Sequence, residues 1–226
     1  MRFITTRICG KCKNKVILEQ NDFIYYKNKY YHFDCFKNKL IEKKRNSLSI
    51  DSAMQLANQL KYDSDNNVFV IDTIDKSHLY QYLQKTYGIV YMPKFIYQKF
   101  SDIFNGTYKN IMNGQGIPPC DLLDMWERKQ NFLDKTKVWN ESKGKVMESL
   151  QLIQYDLAII MSKYDSYLKW KEAQKIKTID RERIKNEMND KIDYGKLGNS
   201  SNNINNNDDN NGNNNGINIS DILDEI

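Results

Sequence analysis

Four residues near the start of the chain, Cys9, Cys12, His32 and Cys35, constrain its fold more than any other feature. They read Cys-x2-Cys, nineteen intervening residues, then His-x2-Cys. Two short-range pairs separated by a hairpin-sized loop suit one structural Zn2+, because each pair clamps one edge of a tetrahedron. Gly10 lies inside the first pair, where a tight turn is expected to aim its amides at the thiolates. The stretch from Asp22 to Tyr31, DFIYYKNKYY, reads as two short aromatic strands turning at Lys27-Asn28-Lys29. His32 and Cys35 then open a Lys-rich run free of Gly and Pro, predicted to be helical. Three residues apart on a helix is one turn, so both ligands can face one point. Turn, hairpin and helix in that order make a treble-clef-like module. It has too little apolar surface to fold unaided, so metal binding and folding should be one event.

The run KYYHFDCF, coming after ICGKC, resembles the first zinc-binding half of a LIM domain. The resemblance covers about the first forty residues and implies ligand roles for Cys9, Cys12, His32 and Cys35. A LIM domain would place its next Cys pair directly after Phe36, where Lys37, Asn38 and Lys39 stand, so one zinc is expected rather than two. The segments YGIVYMPKFIYQKF, IPPCDLLDMWERK and YDLAIIMSKYDSYLKWKE are similar to small bacteriophage-encoded zinc-finger proteins, a group without an established activity.

Charge divides the chain. Residues 1–50 hold twelve Lys or Arg against four Asp or Glu, a net of +8. Residues 197–226 hold five acids and no Lys or Arg. Such an asymmetry points to a polyanion-facing head and a solvated or partner-binding tail. The longest apolar run, Leu157 to Met161, is far too short for a membrane span. Three metal thiolates and one further cysteine, Cys120, suit a reducing compartment, and a cytoplasmic protein is expected, in the bacterial host if the phage resemblance holds.

Three parts follow: a zinc module over 1–48, a mainly helical domain over 49–195, and an Asn-rich segment with an acidic-hydrophobic tip over 196–226. Within the helical part, Ser49 is a candidate cap, and VFVI (Val68 to Ile71) reads as a short strand or buried extended segment. Ser77 is read as the cap of a helix ended by Gly88, and Pro93 as the first-turn proline of one carrying Ile96, Phe100, Ile103 and Phe104. Asp121 opens a further helix with Leu122, Met125, Trp126 and Leu133. Val146, Leu150, Ile153, Leu157, Ile160, Tyr164 and Tyr167 step by fours and threes, predicting one long helix over 145–177. Its seam either packs within the chain or forms a homodimeric coiled coil. The composition of the Asn-rich segment predicts disorder. Ile219, Ile222, Leu223 and Ile226 in its tip form a candidate partner-binding motif.

Function remains open between classes. A nucleic-acid-associated protein is suggested by Lys11, Lys13, Lys15, Lys27 and Lys29 interleaved with aromatics such as Tyr30, where lysines neutralise phosphates and exposed rings stack on bases. The alternative is an effector or adaptor that binds and modulates a host protein complex, for example a defence system, with zinc purely structural. The case for an enzyme is thin. Asp72 and Asp75 would end the VFVI strand, where nucleases place metal carboxylates, but a turn and helix cap before His78 is the favoured explanation. His78 and Cys120 are the remaining histidine and cysteine and would need spatial contact to act together. A non-enzymatic protein is expected.

Overall fold

The computed structural model describes residues 3–20, 22–42, 49–108 and 115–191. The chain divides into two units, Met1–Ile160 and Met161–Ile226. Among the described residues it is mainly helical, with two small antiparallel sheets near the N-terminus.

The first sheet pairs β1 (Thr6–Ile8) with β2 (Lys15–Ile17). This ribbon was not evident in the sequence. A single 3-10 turn, Leu18–Gln20, leads to the second sheet, β3 (Phe23–Tyr26) paired with β4 (Lys29–His32). Tyr26 faces Lys29, so the connection is the two residues Lys27 and Asn28, with φ of +49° and +59°. Two successive left-handed residues form the primed turn whose twist matches that of the flanking strands, and Asn tolerates that conformation well. Helix α1 (Phe33–Ile41) follows directly, with His32 at its N-cap.

Helix α2 (Ile50–Asp65) is capped by Ser49, whose hydroxyl accepts from the Ser52 amide at 3.2 Å. It lies against β3. The buried Ser64 hydroxyl accepts the Tyr25 amide at 2.8 Å, so an edge-strand donor is satisfied by a helix side chain. The buried core of the head, built on Leu18, Phe23, Ile24 and Phe36, continues into Ala53 and Ala57 of α2 and Val70 of α3.

Helix α3 (Val68–Thr86) corrects the reading of VFVI as a strand. The Asn67 side chain accepts from the Phe69 and Val70 amides, so these residues form the capped first turn of a helix. An isolated apolar run has no strand to pair with here, and the cap decides its conformation. Ser77 accordingly lies mid-helix, not at a cap. Tyr87 closes the helix and Gly88 takes the left-handed conformation, φ +64°, as expected for its end.

Helices α4 (Lys94–Phe104) and α5 (Pro119–Ser142) form as the pattern predicts, with Ile96, Phe100, Ile103, Leu122, Met125, Trp126 and Leu133 buried. The predicted long helix is two: α6 (Ser149–Ser162) and α7 (Tyr164–Lys191), separated by a turn at Lys163. Ile153, Leu157 and Ile160 of the seam are buried, whereas Val146 precedes α6 and is exposed. Below α6, Trp126 Nε1 donates to the Tyr87 hydroxyl at 2.9 Å, which donates to Asp156 at 2.6 Å. In the second unit, the Tyr167 and Trp170 rings of α7 lie 5.7 Å apart. No helix among the described residues is long and apolar enough to cross a membrane.

Candidate metal centre and basic surface

The loop between β1 and β2 carries Cys9 and Cys12. It is closed by the Cys9 amide on the Asn14 carbonyl and by the Lys13 amide on the Cys9 carbonyl, with Lys13 left-handed at φ +67°. The end of β4 supplies His32 and the first turn of α1 supplies Cys35. The ligand atoms of Cys9, Cys12, His32 and Cys35 all lie within 4.8 Å of one another, compatible with one metal ion.

The histidine geometry is the most telling. His32 Nε2 is 3.0 Å from the Lys15 carbonyl, an acceptor, so Nε2 carries the proton. Nδ1 then presents its lone pair to the sulfurs of Cys12 at 3.4 Å and Cys35 at 3.7 Å. A tetrahedral ion with metal–sulfur and metal–nitrogen bonds of about 2.3 and 2.0 Å sets ligand sulfur and nitrogen roughly 3.6 Å apart. The observed separations bracket that value. Fixing a ligating imidazole by hydrogen bonding its second nitrogen to a backbone carbonyl is how proteins select the tautomer.

Electrostatics point the same way. Burial opposes ionisation of Cys9, but the amides of Cys12, His32 and Lys11 and the Cys12 side chain outweigh it, lowering its pKa to about 6. Burial and the neighbouring Cys12 and Cys9 push Cys35 up to about 12. Three thiols this close cannot all ionise without a cation among them.

Gly10 lies in the expected turn and has a further role. Its amide donates to the Tyr30 carbonyl at 2.8 Å, joining the loop to β4, while the amides of Lys11 and Cys12 face the Cys9 sulfur. A Cβ at Gly10 would stand 2.6 Å from the Tyr31 ring, so close approach to an aromatic explains the glycine.

The lysines singled out in the sequence have different surroundings. Lys11 pairs with Glu42 at 2.7 Å. Lys13 donates to the Gly10 carbonyl at 3.2 Å, and Lys27 lies 5.4 Å from the Tyr26 ring centroid. Lys15 and Lys29 are exposed. Tyr30 is a correction: it is only 8% exposed, with Tyr25 and Phe23 rings 4.9 and 6.0 Å away, and its ring is part of the core rather than a stacking platform. Its neighbour Lys29 is exposed at the turn end of β4. Ile219, Ile222, Leu223 and Ile226 lie outside the described residues.

The carboxylates also change place. Asp72 and Asp75 lie inside α3 rather than at a strand end, and Asp72 pairs with Lys76 at 2.7 Å. Burial raises the Asp75 pKa, and a Cys120 hydrogen bond partly offsets this. His78 Nε2 meets Glu19 at 2.8 Å, and the same Glu19 oxygen accepts the Thr5 amide at 2.7 Å. Burial resists the Glu19 charge, but these hydrogen bonds prevail and lower its pKa. His78 thus ties the head to α3, a partnership fifty-nine residues apart that no local pattern announces.

No protein-family model matches the chain, and no curated protein or solved structure is significantly similar to it. The reading of the metal centre rests on its own geometry.

Proposed function

We propose that this protein is a non-enzymatic zinc-binding protein whose basic head binds nucleic acid or a nucleoprotein complex. Three thiolates and one neutral imidazole are a borderline-soft donor set suited to Zn2+. Four protein ligands leave no open position for water, so the ion would order the head without activating a nucleophile.

The observation that carries the binding reading is a set of unneutralised cations. Lys13, Lys15, Lys27 and Lys29 are exposed, and none has a carboxylate within ion-pair distance among the described residues. They sit on loops and strand ends of a segment with a net charge of +8 over residues 1–50. A polyanion that releases counterions on contact is the ligand such a surface fits. The burial of Tyr30 shifts the expected affinity toward phosphates and away from that ring.

A salt titration tests this. Binding to a labelled oligonucleotide should weaken linearly in log–log form as salt rises, and charge reversal at Lys13, Lys15, Lys27 and Lys29 should flatten that slope. Salt-independent binding would instead favour a host protein partner. That second reading draws on Phe132 and Trp139, two large side chains exposed on α5.

A further inference from the structure

Beside the head's strands, an open groove of about 570 Å3 is lined by Arg7, Tyr25, Asn28, Asn67, Phe69 and Thr73, together with the Tyr30 edge. Its apolar part is a ring stack: Phe69 lies on Tyr25 with centroids 5.5 Å apart and planes 25° apart, and Tyr25 in turn meets Tyr30. Phe69 is 57% exposed, so much of the outermost ring is uncovered.

The polar part is rich in donors. Asn28 Oδ1 accepts the Tyr25 hydroxyl, and Asn67 Oδ1 accepts two α3 amides. With both amide oxygens engaged, the Nδ2 groups are the capacity each asparagine has left to offer. Arg7 adds a guanidinium in which one N–H bonds the Thr6 carbonyl. Among the described residues no carboxylate lines the groove. Such a lining fits a ligand with a flat apolar face, an acceptor-rich edge and a negative charge.

We propose that this groove takes one unstacked nucleotide of a single strand, its base against Phe69 and its phosphate toward Arg7. The proposal rests on the nucleic-acid reading above and adds to it a strand preference and a place. A base supplies the flat face and the acceptors, and the phosphate supplies the charge. A duplex keeps its bases stacked and paired, so it can engage the lysines but not the groove.

The test is fluorescence anisotropy of the full zinc-loaded chain with a labelled oligo(dT) strand, a blunt duplex of equal length and an acidic peptide of comparable charge. Oligo(dT) should bind more tightly than the duplex. Phe69→Ala should weaken oligo(dT) at least about fivefold, the lower end for loss of one stacked base, and leave duplex binding unchanged. Phe69→Trp should retain affinity, and its indole emission should be quenched by oligo(dT). Helicity and zinc content of both variants, measured alongside, separate these effects from misfolding. Equal affinity of Phe69→Ala and the parent for oligo(dT) would overturn the groove while leaving the basic-surface reading intact, provided reversal of the four lysines still abolishes binding. Binding of neither nucleic acid would overturn both. Tighter binding of the acidic peptide than of oligo(dT) would reassign the groove to a protein ligand.

Discussion

The head and the helical body of the first unit reach order by different routes. In the head, strands of three or four residues and a nine-residue helix converge on four ligand atoms. In the body, Trp126, Phe100, Leu83 and Ile96 are fully buried on helices long enough to present continuous apolar faces. A region of short elements carries a candidate metal site, and a region of long helices carries a conventional core. Short elements bury too little surface to offset the entropy of ordering their chain, so on the proposed reading a bound ion supplies the difference. The two regions meet through Ala53, Ala57 and Val70, and that contact decides how far loss of the ion spreads.

The largest effect is expected from the ligands. Cys12→Ala or Cys35→Ala should unfold the head, as metal binding supplies on the order of 10 kcal/mol in comparable modules. Hydrogen exchange should then rise over β3 and β4 and along α2, which shares their core, while α4 and α5 remain protected. Uniform loss of protection through α5 would erase the distinction between the regions. Next comes Trp126→Ala, which should cost about 3–5 kcal/mol in urea unfolding by emptying the body core and removing the donor to the Tyr87 oxygen. The head should keep its metal in that variant at low denaturant.

Asp156 offers a smaller, pH-dependent test. It is 3% exposed, and burial, opposed in part by the Tyr87 hydrogen bond, raises its pKa from 3.8 to about 6. The folded state therefore holds this proton more tightly than the unfolded chain does. The contribution to stability is fully present below about pH 4, falls as pH rises through 6, and is flat above that. Asp156→Asn should stabilise the protein by about 1–3 kcal/mol at pH 7, and the gain should shrink toward pH 4.5. A difference between variant and parent that does not change with pH would contradict a perturbed carboxyl. The smallest effect is expected of Ser64→Ala, which leaves the Tyr25 amide without its helix partner and should cost about 1 kcal/mol.

The two regions also differed in how well the sequence announced them. Ligand spacing, the turn at Lys27-Asn28-Lys29 and the apolar periodicity of the helices carrying Ile96 and Leu122 are local signals, and local chemistry determines them. VFVI misled because its apolar, β-branched composition resembles a strand, while one preceding asparagine supplies the helix cap. The break at Lys163 went unseen because neither Gly nor Pro marks it and the apolar spacing runs on across the turn. The turn at Gly10 was legible, but the Tyr31 ring that excludes a side chain there comes from β4 and leaves no local trace. Tyr30 was misplaced because both faces of the hairpin are covered, and alternation cannot show that the neighbours Tyr30 and Tyr31 are both buried. Glu19–His78 and Tyr87–Asp156 join residues far apart in sequence, and periodicity carries no trace of them.

The central claim is that a single ion, held by Cys9, Cys12, His32 and Cys35, orders the head. Native mass spectrometry of the full chain, before and after a strong chelator and paired with hydrogen exchange over β3 and β4, tests it most directly. One zinc per chain, with protection of both strands lost as the metal is removed, is the predicted result. A chain carrying no stoichiometric metal, or one whose strands stay protected once the metal is stripped, would contradict it.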